Sequence, residues 1–213
     1  MEKILIVGSG GHAKVIIDIL KNSTEYELIG LTDPFPKHER IMGLPILGDD
    51  SILPKLFEEG IKYAFIAIGD NQKRIQLAFE IMQMGFGVIN AISSHSYVSK
   101  SIQLGVGIAI MPGVIINPDA IINDHVIINT GATIDHDCII ETGCHIAPGC
   151  NIAGNVRIGK GSLLGIGTKV IPNITIGEWT IVGAGSVVVN NVPSYALAVG
   201  FPARVVKRLC EER

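Results

Sequence analysis

The chain has 213 residues, enough for two small domains, and its 17 basic and 20 acidic side chains leave a net charge of −3. Charges of mixed sign argue against a nucleic-acid or polyanion partner. The first apolar run, Ile4 to Val7, stops at a glycine turn, too soon for a signal peptide or a membrane span.

Lys3–Val7 reads as a buried strand, Gly8-Ser9-Gly10-Gly11-His12 as a turn and Ala13–Leu20 as a helix. Tyr26–Leu31 is a second strand ending at Thr32-Asp33-Pro34, and Ser51–Glu59 a short helix. Tyr63–Ile68 is a third strand, Asn71–Met84 a longer amphipathic helix, and Val88–Ala91 a last strand leading to Ser93. Strand alternating with helix predicts a small Rossmann-like α/β domain over residues 1–92, an open parallel sheet of about four strands with helices on its faces. The first turn brings backbone N–H groups to a helix N-terminus, which suits a phosphate. Gly8, Gly10 and Ala13 satisfy the relaxed dinucleotide fingerprint, and Asp33 follows where a ribose hydroxyl would lie. There is no room for a second nucleotide-binding half, so a nucleoside diphosphate fits better than a dinucleotide. A turn that only packs the helix on the sheet is the alternative.

From Val98 to Val188 every sixth residue is Ile, Leu or Val, without an insertion: Val98, Leu104, Ile110, Ile116, Ile122, Ile128, Ile134, Ile140, Ile146, Ile152, Ile158, Leu164, Val170, Ile176, Val182 and Val188. Two residues before each lies a smaller series, which from Val126 reads Val126, Ala132, Cys138, Cys144, Cys150, Val156, Ser162, Thr168, Ile174, Thr180 and Ser186. This period belongs to a repeat array. A short flat strand and a corner, three times over, make one coil of a triangular prism, so that residues eighteen apart stack, as Ile116, Ile134, Ile152, Val170 and Val188 do. At a strand spacing of about 4.8 Å, five coils stand on the order of 24 Å tall. The expected fold is a parallel β-helix over 93–192, followed by a tail over 193–213. Gly105, Gly159, Gly165, Gly177 and Gly183 each follow a large aliphatic residue and are expected to turn the corners.

Cys138, Cys144 and Cys150 occupy the small inward series on successive faces. Buried small hydrophobes explain them better than a metal or a disulfide, and reduced thiols suit a cytoplasmic setting. Four histidines, His95, His125, His136 and His145, fall in or just before the array. In Thr133-Ile134-Asp135-His136-Asp137 the register turns Ile134 inward, so His136 faces outward at or near a corner between two carboxylates. Such neighbours orient an imidazole and raise its basicity, which suits proton removal from an attacking amine or hydroxyl. A merely polar corner is the plainer reading of the same residues.

The array resembles the hexapeptide-repeat acyltransferases, and the whole chain resembles the sugar acetyltransferases of the NeuD/PglD type. The resemblance is carried by Val7-Gly8-Ser9-Gly10-Gly11-His12, by Phe65-Ile66-Ala67-Ile68-Gly69-Asp70-Asn71, and by Ile128-Asn129-Thr130 running on through Ile134-Asp135-His136-Asp137. It continues in Ala153-Gly154-Asn155-Val156, Gly165-Ile166, Pro172-Asn173 and Val199-Gly200-Phe201-Pro202-Ala203. It implies a left-handed coil, a homotrimer with active sites between subunits, acetyl-CoA as co-substrate and no metal. The implied acceptor is the amine of a UDP-, GDP- or dTDP-linked 4-amino-dideoxy sugar. His136 matches the general base of the nucleotide-sugar members, and Asp137 the acid that polarises it, where some relatives carry Glu. Gly10, Gly11, His12, Thr32, Asp33, Gly69 and Asn129 match substrate-binding positions, while His145, Ile166 and Ala184 match the acetyl-CoA path. Relatives specific for UDP can carry two acids where this chain has Thr32-Asp33, which leaves the base open.

Three rivals remain from sequence. One is O-acetylation of sialic acid or a related sugar hydroxyl. Another is a γ-carbonic-anhydrase-like metal hydratase, which needs three histidines converging across a subunit boundary. The coil histidines, spaced eleven and nine apart, lack the close pair associated with those enzymes. The third is a non-catalytic nucleotide-binding scaffold. Arg204, Lys207 and Arg208 follow the array and suit CoA phosphates or a solvated basic helix end equally well.

Overall fold

The computed structural model describes residues 1–21 and 24–209, and the chain divides into two compact units, residues 1–93 and 94–213. The last residues of the 193–213 tail, 210–213, lie outside the described residues. In the first unit, β1 (Glu2–Val7) runs parallel between β2 (Tyr26–Thr32) and β5 (Tyr63–Ile66). Its Ile4, Leu5, Ile6 and Val7 are all buried, the continuous apolar run expected of a strand covered on both faces. Helix α1 (Gly11–Lys21) turns Ala13, Ile16, Ile17 and Leu20 to the core, a spacing that follows the helical period. Helix α2 (Leu53–Glu58) adds Leu53 and Leu56. Helix α3 (Asn71–Gln83) is capped by Asp70, which accepts from Lys73 N at 2.8 Å, and buries Arg74, Ala78 and Ile81.

This sheet has six strands, not the four anticipated, in the order β3 (Arg40–Ile41), β4 (Leu44–Gly48), β2, β1, β5, β6 (Gly87–Val88). The additions are a hairpin of β3 (Arg40–Ile41) and β4 (Leu44–Gly48), joined through Met42 and Gly43 with φ of 48° and 87°. Two-residue hairpin turns of this left-handed kind usually advertise themselves by Asn-Gly or Asp-Gly, and methionine concealed this one. The third strand stops at Ile66 rather than Ile68, and the segment read as Val88–Ala91 resolves into β6 (Gly87–Val88) and a separate strand, Ala91–Ile92. Chain leaves β1 toward β2 on one side and β5 on the other, so the carboxyl ends of these strands frame a crevice. Among the described residues no helix is long and apolar enough to cross a membrane.

The second unit is a parallel β-helix. Two-residue strands pair with strands eighteen residues away in three flat sheets: Ile116 with Ile134, Ile134 with Ile152, Ile152 with Val170, and Val170 with Val188. From Ile110 to Val188 every member of the aliphatic series is buried, but Val98 is only half-buried and Leu104 is 37 % exposed. All eleven residues of the smaller series from Val126 are buried too. Their polar members donate inward: Cys138, Cys144 and Cys150 to the carbonyls of Ala153, Gly159 and Gly165 at 3.2, 3.0 and 3.2 Å, and Ser162 to Gly177 at 2.8 Å. The three thiols are free, and burial pushes those of Cys138 and Cys150 above their ordinary value.

The corners differ from expectation. One residue in six, from Gly107 through Asp119, His125, Asp137, Asn155, Asn173 and Trp179 to Gly185, adopts a left-handed φ, and it lies two places beyond the glycines first assigned that task. Gly165, one of those, serves close approach instead, since a Cβ there would stand 2.6 Å from Ala184 N of the next coil. Beyond the array, Ala196–Gly200 pairs parallel with Ile181–Val182 and antiparallel with Ala203–Arg208. Arg204, Lys207 and Arg208 therefore sit on a strand, not a helix end.

Replacement of fully buried Ile146 by alanine is expected to destabilise the fold by about 2–5 kcal/mol, whereas Leu104→Ala, at an exposed position, should change stability by under about 1 kcal/mol. Urea denaturation of both variants checks this.

Candidate active site

At the crevice of the first unit, Gly8 has φ of 99° and a Cβ there would stand 2.7 Å from Ile68 Cδ1, so only glycine closes this turn. Ser9 then gives both its N–H (2.8 Å) and its hydroxyl (2.6 Å) to Asp33 Oδ2, while Phe35 N donates to Oδ1 at 2.8 Å. Partial burial would push the Asp33 carboxyl up, but these donors, with the Lys73 ammonium nearby, hold it below its ordinary value. Gly10, Gly11 and Gly69 have open space where a Cβ would be. They leave a rim of bare backbone beside the start of α1. His12 is half-buried on the first turn of α1. Thr32 is fully buried, its hydroxyl donated to Asp50 at 2.7 Å and its carbonyl accepting from Gly8 N at 2.8 Å, so it braces the rim from inside. Sequence reasoning missed Arg74. Its guanidinium is buried and donates to the carbonyls of Ile68 and Gly69, at 3.0 and 3.1 Å, and to Asn71 Oδ1 at 2.9 Å, pinning the turn that carries Gly69. Helical spacing to Ala78 and Ile81 was the available signal.

In the second unit His136 and Asp137 project from the corner after Thr133–Ile134, with side chains 59 % and 60 % exposed. His136 Nδ1 lies 2.7 Å from Asp137 Oδ2. An ionised carboxylate only accepts, so Nδ1 carries the proton and Nε2 presents its lone pair outward. Asp137 is itself the left-handed residue of this corner, φ 60°, a conformation aspartate tolerates. Asp135 is held on the other side by Asn117 Nδ2 at 2.8 Å and by His136 N at 2.9 Å. The Asn117 amide and that N–H keep its carboxyl below the ordinary value. The bond to Asp137 and then the charge of Asp135 raise the His136 imidazole above 6.5.

Asn129, Ile166 and Ala184 lie at a different corner of the same prism, the one preceding this face, and His145 on the strand leading to it. Asn129 Nδ2 meets His145 Nε2 at 3.2 Å. Ile166, 63 % exposed, stacks with Ala184 one coil on, where Gly185 N donates to the Ile166 carbonyl. Between the two corners the flat face bears a shallow groove of about 640 Å³ lined by Asn117, Asp135, Asn151, Ala153 and Lys169 among others. Among the described residues no three His, Cys, Asp or Glu side chains converge as a metal site would require.

A family model of the PglD N-terminal domain matches residues 3–81, and one of the bacterial transferase hexapeptide (six repeats) matches 155–190. PerB from Caulobacter crescentus, solved with CoA and GDP-perosamine, superimposes with a TM-score of 0.93 at 43% identity, over 97% of this chain and 98% of that one. The acetyltransferase domain of PglB from Neisseria gonorrhoeae, solved with acetyl coenzyme A, gives 0.91 at 31% identity, over 96% and 99%. Uncharacterized protein L142 of Acanthamoeba polyphaga mimivirus is 31% identical over 104 residues, 49% of this chain; the chain spans 20% of that protein's length. A left-handed hexapeptide-repeat prism with an exposed, carboxylate-backed histidine, joined to a glycine-turn α/β unit, defines a hexapeptide-repeat acyltransferase. The chain belongs to the sugar N-acetyltransferases of the PglD type.

The His136 ring should keep its proton to higher pH than an ordinary histidine, so a general base at this position gives an acid limb of kcat/KM above 6.5. Asp137→Asn, which preserves a residue tolerant of the left-handed corner, should move that limb down toward 6.5, read from the pH dependence of kcat/KM.

Proposed function

We propose that the chain transfers the acetyl group of acetyl-CoA to the amine of a nucleotide-linked 4-amino-dideoxy sugar, with His136 as general base. The observation that carries this reading is the outward imidazole whose Nδ1–H is held by Asp137, leaving Nε2 free. The amine attacks the thioester carbonyl, Nε2 takes the proton as the tetrahedral intermediate forms, and CoA thiolate leaves. A thioester needs little activation, so the chief task is to hold the amine near the carbonyl and remove its proton.

Gly10, Gly11, His12 and Gly69 form the phosphate rim, supported by the bare backbone there and by the start of α1. Thr32 and Asp33 hold its shape, Thr32 through Asp50 and Asp33 through Ser9. His145, Ile166 and Ala184 form the acetyl-CoA path. Asn129, bonded to His145, joins substrate side to thioester side. These residues and His136 occupy different corners, which supports a homotrimer whose active sites combine His136 of one prism with the acetyl-CoA corner of its neighbour. UDP, GDP and dTDP all suit the rim. The relative PerB, crystallised with GDP-perosamine, puts a GDP-linked sugar first. Buried free thiols and a nucleotide-sugar substrate suit the cytoplasm.

The test is release of free CoA from acetyl-CoA with UDP-, GDP- and dTDP-4-amino sugars and, separately, with sialic acid. Turnover is expected with one of the nucleotide sugars and not with sialic acid. His136→Ala should lower kcat by roughly 10²–10⁴-fold while thermal unfolding stays unchanged. A His136→Ala protein that turns over at the original rate would dismiss the general base.

A further inference from the structure

We infer that Gly154 is the seat of the His136 imidazole, a positioning residue whose missing side chain lets the catalytic ring lie flat against the coil beneath. Position 154 stands eighteen residues after 136, one coil on, and Asn155 N donates to the His136 carbonyl at 3.0 Å, fixing the two coils in register. A Cβ on Gly154 would stand 2.7 Å from His136 Cε1, 2.8 Å from Nε2 and 3.2 Å from Nδ1. Carbon contacts settle at about 3.5–4.0 Å, so a methyl group would meet the face of the ring and displace it by roughly 1 Å. The ring can retreat only by rotating about its side-chain torsions, which breaks the 2.7 Å bond to Asp137.

The backbone does not ask for glycine here. Gly154 is absent from the left-handed positions, which fall on Asn155 at this corner. The register supplies the independent argument. The equivalent positions every six residues from 106 to 190 are Val106, Pro112, Pro118, Asp124, Thr130, His136, Thr142, Pro148, Gly154, Lys160, Ile166, Pro172, Glu178, Ala184 and Asn190. One glycine occurs among them, and it falls directly beneath the histidine. Corners elsewhere accept proline, β-branched and charged residues at this place, so the prism itself imposes no such restriction.

The inference rests on His136 acting as the general base, and three measurements on Gly154→Ala separate the two ideas. Steady-state kinetics should show kcat reduced about a hundredfold, the scale of a 1 Å misplacement, with KM for both substrates within about twofold. NMR titration of the His136 ring should show its pKa falling toward 6.5 as contact with Asp137 is lost, a change that general destabilisation does not produce. Any loss of Tm caused by Gly154→Ala should disappear in a His136→Ala background, where no ring remains to collide. A Gly154→Ala protein with an unaltered His136 titration, or with the same Tm loss in both backgrounds, would overturn the seat. A Gly154→Ala chain that folds only with His136→Ala supports it; one that folds in neither background overturns it. Activity retained by His136→Ala would remove the general base alone, because the titration and the Tm cycle judge the seat without reference to turnover.

Discussion

Backbone hydrogen bonds between successive coils, whose strands pair in a register of eighteen residues, govern the second unit. Asp135 N bonds to the Ile152 carbonyl, Asn155 N to His136, and Asn173 N to Gly154, each at 3.0–3.1 Å. These bonds form only while the aliphatic series points inward, because a slip of one residue would turn every buried side chain outward. Outward groups inherit that precision. Asn117 reaches Asp135, Asn155 reaches Asn173, and the His136 ring meets Gly154, each pair separated by one coil. The chemistry is thus positioned by an interior that never touches a ligand.

Asp137 shows how little sequence the site consumes. It closes the corner in a left-handed conformation and holds His136 Nδ1 with the same side chain. Glycine would turn the corner without orienting the ring, and alanine would strain the corner as well. On the opposite flank Asn117 and the His136 N–H bond to Asp135 and hold its carboxyl below the ordinary value, so the imidazole sits between two anchored carboxylates. Both raise its basicity, and solvent exposure keeps Nε2 accessible. In the first unit the corresponding economy is Asp33, whose carboxylate shapes the glycine turn through Ser9.

The prism was legible because its signal is covalent and repeated: the aliphatic period is uninterrupted from Val98 to Val188, and the structure buries it from Ile110 onward. The outward placement of His136 followed from the same register. What escaped notice depended on geometry without a periodic trace. The Met42-Gly43 hairpin lacks the usual turn residues, and Arg74 looks like any polar helix residue until its buried guanidinium is seen gripping the Ile68 and Gly69 carbonyls. Corner glycines were misplaced because two separate needs, left-handed φ and close approach of coils, both select glycine. Only coordinates distinguish Gly165, which serves the second, from Gly185, which serves the first.

A stack of flat coils has an inherent hazard, since its last rung offers unpaired amides and carbonyls on which another stack could continue. The segment after Tyr195 answers it. Ala196–Gly200 follows the parallel pattern once more, and Ala203–Arg208 then reverses direction, so the outermost strand no longer matches the rung a second molecule would need. Arg204, Lys207 and Arg208 place positive charge along that terminus, where like charges on an approaching copy would repel. The hairpin therefore closes the end of this one face against continuation by a second stack.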